Sequence, residues 1–285
     1  MTVAGIVDTH IHFIDPGRFT YPWLRRRPDV DRSFLEEDYR NATGGADVSS
    51  IVLVEAAVRD ADAMGEAAWM SGLAERSELV GAVVAQARLE RGGAARDELD
   101  RLAQLPKVTG IRRVVRAPFQ SDPDFCVRPD FIAGTRLLAD YGFSFDVACG
   151  PGDLANVVTL ADACPDVVFV VNHIANPPSA PAEFAVWEVG LKELARRPNV
   201  ACKISGQQTH LPKGWDAAMV RPCVEPAAES FGPTRILFGS DTPVQNAGGG
   251  FVPWLTVLEA VFAAASEEER VLFFGGNARR LYRIP

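Results

Sequence analysis

From residue 7 onward the chain alternates short β-branched runs with longer Ala- and Leu-rich stretches of helical period. The first run, Val7-Asp8-Thr9-His10-Ile11-His12-Phe13, alternates apolar and polar positions. It predicts a strand with Val7, Thr9, Ile11 and Phe13 on one face and Asp8, His10 and His12 on the other. Further strands are predicted at 50–55, 79–86, 108–116, 143–149, 167–173, 199–205 and 235–241. Helices are predicted between them at 33–41, 60–74, 94–105, 131–141, 154–163, 183–197 and 216–231. Ser33 reads as the cap of the first, Gly142 and Pro198 as stops, and Pro222 and Pro226 as interruptions of the last. Helices near 252–265 and 277–282 complete the chain. Eight strand–helix units in series predict a parallel sheet closed into an α/β (β/α)8 TIM barrel, a single domain over 1–285. A doubly wound open sheet is the alternative, but no Gly-x-Gly-x-x-Gly follows the first strand and no phosphate loop occurs elsewhere.

A barrel of this kind gathers its chemistry at the C-terminal strand ends. Period two then aims Asp8, His10 and His12 inward from strand one, Arg112 and Arg116 from strand four, Asp146 from strand five, and Lys203 and Ser205 from strand seven. Strands two, three, six and eight end at Glu55, Gln86, His173 and Asp241, and His210 follows strand seven. Charges inside a barrel need partners. Asp8, Glu55 and Lys203 read as members of a neutralising network, whereas the Arg112 and Arg116 guanidiniums suit a carboxylate or hydroxyl-rich ligand. The loops at 15–31, 117–129, 175–181, 206–215 and 246–251 set the substrate. Trp23, Gln207, Gln208 and His210 are candidate pocket residues there, and Phe119 reads as packing its own loop.

Composition narrows the partners. Hydrophobic residues make up 47 % of the 285, enough for a large core, and 29 Lys+Arg against 37 Asp+Glu leave a net charge of −8. Bulk charge therefore recruits neither nucleic acid nor an anionic membrane, and a small molecule is the expected partner. Five scattered cysteines without a Cys-x-x-Cys pair suit reduced thiols and a cytoplasmic location. The sequence shows no signal peptide and no membrane span, and it does not speak to oligomeric state.

Taken in order, Asp8-Thr9-His10-Ile11-His12-Phe13, Tyr21-Pro22-Trp23-Leu24, Gly110-Ile111-Arg112, Phe145-Asp146, Asn172-His173-Ile174, Cys202-Lys203-Ile204-Ser205-Gly206, Leu237-Phe238-Gly239-Ser240-Asp241 and Gly276-Asn277-Ala278-Arg279-Arg280-Leu281-Tyr282 form a pattern. It resembles the amidohydrolase superfamily, in the amidohydrolase-related branch that holds sugar-acid lactonases and 2-pyrone-4,6-dicarboxylate lactonase. The resemblance implies hydrolysis of a sugar-acid or related carboxylated lactone. Asp241 would be the general base, His10, His12 and His173 would polarise the ring carbonyl, and Arg112, Arg116, Trp23 and His210 would bind substrate. The strand-four end offers Arg116 where many relatives carry a bridging lysine or glutamate, so a two-metal site is not expected. One Zn²⁺ on His10, His12 and Asp241, with His173 as a further ligand, and a metal-independent site both stay open. A decarboxylase of an unsaturated or aromatic acid and a non-catalytic ligand-binding barrel are the competing functions.

Overall fold

The computed structural model describes residues 5–285. Eight strands form one sheet in sequence order: β1 (Ile6–Ile11), β2 (Val48–Val54), β3 (Val80–Gln86), β4 (Val108–Val114), β5 (Ser144–Ala148), β6 (Phe169–Val171), β7 (Val200–Ile204) and β8 (Ile236–Phe238). Every neighbouring pair is parallel. The sheet closes between β8 and β1, where the Thr9 hydroxyl donates to the Phe238 carbonyl at 2.6 Å. Just above, Asp241 N donates to His10 O at 2.7 Å and His12 N to Thr242 O at 2.9 Å. The expected barrel is therefore the observed one.

Helices cover its outside: α1 (Glu36–Ala42), α2 (Ala63–Arg76), α3 (Arg96–Ala103), α4 (Pro129–Arg136), α5 (Leu138–Tyr141), α6 (Leu154–Ala163), α7 (Pro181–Ala195), α8 (Ala217–Phe231), α9 (Phe251–Val261), α10 (Glu267–Val271) and α11 (Asn277–Tyr282). The helix expected over 131–141 breaks after Arg136 and ends, as expected, at Gly142, whose φ of +61° suits a residue without a side chain. Ser33 is not the cap of α1. That helix starts at Glu36, and the Asp38 carboxylate holds the Leu35 amide at 3.0 Å. The prolines at 222 and 226 lie inside a continuous α8.

Two cores result from the strand alternation. The larger lies between sheet and helices and includes Ile11, Phe13, Ile51, Leu53, Phe145 and Cys202. The smaller fills the barrel with Val7, Val52, Val54, Val84, Val170 and Leu237, and Tyr282 and Ile284 from the chain's end join it. Simple alternation fails in β1. Val7 is inside although Ile11 and Phe13 are outside, because a register shift between Asp8 and Ile11 changes the phase of the strand. Among the described residues, no helix is long and apolar enough to cross a membrane.

Candidate active site

Strands β4, β6 and β8 end two or three residues earlier than their periodicity suggests, and those freed residues build the site. After Val171 the backbone turns through His173, Ile174, Ala175 and Asn176, all at φ between 52° and 55°. After Phe238 it turns at Asp241, with φ +59°. Non-glycine residues in this region store strain that surrounding contacts must hold. Two helix tryptophans supply such contacts: Trp187 of α7 donates to Ile174 O at 2.7 Å, and Trp254 of α9 donates to Gly239 O at 2.9 Å.

The two turns and β1 converge on one carboxylate oxygen. Asp241 Oδ1 lies 3.4 Å from His12 Nε2, 3.7 Å from His10 Nε2 and 4.0 Å from His173 Nε2. Its other oxygen accepts from Gln245 Nε2 at 2.9 Å. His12 Nδ1 sits 2.9 Å from the Val54 carbonyl, an acceptor only, so Nδ1 carries a hydrogen and the ring is held with Nε2 toward Asp241. His173 Nδ1 is held 2.9 Å from the Ser205 hydroxyl. At Gly206 a Cβ would stand 2.3 Å from that same nitrogen, and φ there is +73°, so this wall has to be glycine.

Burial and charge set the protonation states. Burial pushes His10 well below its ordinary value, helped by His173, Lys203, His12 and Arg112 around it. Burial also takes His173 down to about 4 against the pull of Asp241. For Asp241 burial works upward, but His173, the His12 contact and the Gln245 amide outweigh it and hold the carboxyl at about 2. Near neutral pH the site thus holds an ionised aspartate facing neutral His10 and His173.

The inward charges pair as a network beneath. Lys203, fully buried, meets Asp146 at 2.5 Å, and Asp146 also accepts from Tyr282 at 3.0 Å and Asn172 at 3.1 Å. Arg112 is bound through Nε and Nη2 to Glu55, and its Nη1 lies 3.4 Å from His10 Nε2. Asp8 departs from the alternation that put it beside the histidines. It bonds the Ser240 hydroxyl at 2.6 Å and Tyr39 of α1 at 3.0 Å.

A pocket of about 250 Å³ opens above the cluster, lined by His12, His173, Asp241, Arg112, Arg116, Trp23 and His210 among others. Of the candidate residues, fully buried His10 does not reach it, and Gln207 and Gln208, expected in the pocket, line neighbouring cavities instead. Trp23 is fixed there by its indole N–H to Ala56 O at 2.7 Å. Among the described residues Arg116 joins no ion pair, unlike Arg112. Phe119, expected to pack its loop, is instead 46 % exposed on the rim. Sequence reasoning did not single out Gln245, Arg27 or Asn176, which also line the pocket. Only Gln245 carried a signal, four residues after Asp241.

His10, His12 and Asp241 offer three donor atoms within 4.8 Å of one another. A tetrahedral ion about 2.0–2.1 Å from each donor spaces them roughly 3.3 Å apart, close to the 3.4 and 3.7 Å found. Two imidazoles and one carboxylate suit Zn²⁺, and Glu55 neutralises the guanidinium beside His10, so these residues could hold one divalent ion.

Comparison with known proteins places the chain in a family. An L-fucono-1,5-lactonase of Burkholderia ambifaria is 30 % identical over 98 % of this chain and 95 % of its own. An amidohydrolase of Burkholderia multivorans, solved with bound zinc, is 26 % identical with TM-score 0.88 over 99 % of this chain and 100 % of its own. A probable 2-pyrone-4,6-dicarboxylic acid hydrolase of Acinetobacter baumannii, 15 % identical over 98 % of this chain and 100 % of its own, shares the fold with TM-score 0.77. The family model described as Amidohydrolase matches residues 7–284, from the first strand to the chain's last turn, and the chain belongs to that family.

Proposed function

We propose that this protein hydrolyses the lactone ring of a sugar acid or related carboxylated lactone. The observation that carries the reading is the convergence of three imidazole Nε2 atoms on one oxygen of an ionised Asp241 at the floor of a small pocket. The lactonase named among the relatives supports the same class. At about 250 Å³ the pocket lies below the ~300–1,000 Å³ typical of drug-sized ligands, which favours a single ring.

In this reading Asp241 takes a proton from water as the water oxygen bonds to the lactone carbonyl carbon. His173 faces the carbonyl oxygen with an Nε2 hydrogen, the Ser205 hydroxyl donating to its Nδ1. The ring C–O bond then breaks, and the proton held on Asp241 passes to the leaving oxygen. Arg116, which has no ion-pair partner among the described residues, receives the substrate's carboxylate or hydroxyls. Arg112 is committed to Glu55, and its part is to position His10. A carboxylate held at about 2 is a weak base. An ion held by His10, His12 and Asp241 would supply the missing activation of water and polarisation of the carbonyl.

The test is proton release from a panel of aldono-1,5-lactones and one pyrone dicarboxylate, run beside a carbon dioxide assay on unsaturated and aromatic acids. Selective proton release supports the proposal. Carbon dioxide without lactone turnover would replace it with decarboxylation, and tight lactone binding without turnover would leave a binding barrel. Zinc is expected to raise the melting temperature of metal-stripped wild type and not of His12→Ala, because only the intact triad gains binding energy in the folded state.

A further inference from the structure

His210 lines two cavities. One is the reaction pocket; the other, about 290 Å³, lies on its far side between the loop after β6 and the start of α8. The second cavity is built mainly of apolar groups, with Pro177, Phe184, Leu211, Met219, Val220 and Cys223 in its walls. Gln207, which also lines it, donates to His173 O at 2.9 Å and to Ser205 O at 3.0 Å, so its wall is tied directly to the catalytic turn. Nothing in the mechanism above uses this space.

We propose that the cavity is a substrate subsite for an apolar substituent on the lactone, with the ring beside Asp241 and the substituent passing His210. This deepens the lactonase reading and rests on it. The polar pocket orients the ring, and the apolar walls discriminate by removing carbon from water. Each buried methylene is worth about fourfold in affinity, so a butyl group that finds even half of this shelter gains more than about tenfold.

Cys223 makes the subsite observable apart from turnover. The other four cysteines, Cys126, Cys149, Cys164 and Cys202, are buried, whereas Cys223 is half-buried in the cavity wall. The experiment compares δ-valerolactone with δ-nonalactone, which differ only in a butyl group. It reads kcat/KM and the rate at which a maleimide labels Cys223 in the wild-type protein, with Cys223→Ser identifying the labelled thiol. The proposal expects kcat/KM to favour the nonalactone at least about tenfold through KM, and labelling to slow several-fold with the nonalactone alone. Cys223→Trp, which fills the cavity, is expected to abolish the preference and leave valerolactone turnover within about twofold. Met219→Trp, one turn before Cys223 on the same α8 wall, does the same. If the nonalactone alone protects Cys223 while neither it, valerolactone nor any aldono-lactone of the panel turns over, the subsite stands and the lactonase reading falls. Equal kcat/KM values for the two lactones, or unaltered labelling at a nonalactone concentration that saturates turnover, overturn the subsite.

Discussion

The site depends on a few side chains whose settings are individually strained or costly. Gly206 is the clearest, because any Cβ there collides with His173 Nδ1. Gly206→Ala is expected to cost roughly 1–3 kcal/mol of stability, from the clash and the positive φ, and to lower kcat at least about tenfold by displacing the imidazole. A urea titration and steady-state kinetics measure the two effects. His173 gives a pH signature. Its folded value of about 4 lies below the ordinary 6.5, so between those limits the unfolded chain binds a proton that the folded protein refuses. Stability is therefore lost as the pH falls from 6.5 toward 4. In metal-stripped protein, wild type should lose about 2 kcal/mol more than His173→Gln between pH 7 and pH 4.5. Asp241 adds acid sensitivity only lower down, its contribution complete above 3.8 and lost as the pH falls through about 2. At this scale the sequence was informative: His10, His12, His173 and Asp241 all announced themselves as polar residues at strand ends. Gln245 was marked only by its place four residues after Asp241, and the Val54 carbonyl not at all, because a backbone oxygen has no residue pattern.

At the scale of elements, alternation located the inward faces of β5 and β7, and Asp146 and Lys203 meet there as the pattern requires. It misplaced Asp8, since a register shift in β1 is not visible in residue types. The early endings of β6 and β8 were equally hidden. They follow from turns held by Trp187 and Trp254 on α7 and α9, the helices that come next in the chain, through contacts that residue types alone do not display. The Lys203–Asp146 pair is fully buried, so removing one partner strands a charge. Lys203→Met is expected to cost about 3–5 kcal/mol, whereas Lys203→Met with Asp146→Leu should recover a good part of that. Urea unfolding of the two variants side by side tests the difference. Tyr282, which closes the barrel floor and donates to Asp146, ties the last helix to this pair.

For the molecule as a whole, the barrel was legible because each strand–helix unit repeats its own period, and eight of them leave little choice but closure. Substrate identity was not legible, because it is set by loops whose side chains meet only after folding. The structure divides labour among the cations that the sequence could only group together. Arg112 is bound to Glu55 and lies beside His10, whereas Arg116 lines the pocket and joins no ion pair among the described residues. All of this presupposes that Asp241 acts on water at a lactone carbonyl. The most direct test is kcat/KM of Asp241→Asn against wild type on the best lactone of the panel, with melting temperature and metal content recorded for both. The account predicts a loss of about 10³-fold in a protein that remains folded. A folded Asp241→Asn variant within about fivefold of wild type would contradict it, since the uncharged amide cannot accept the proton of water.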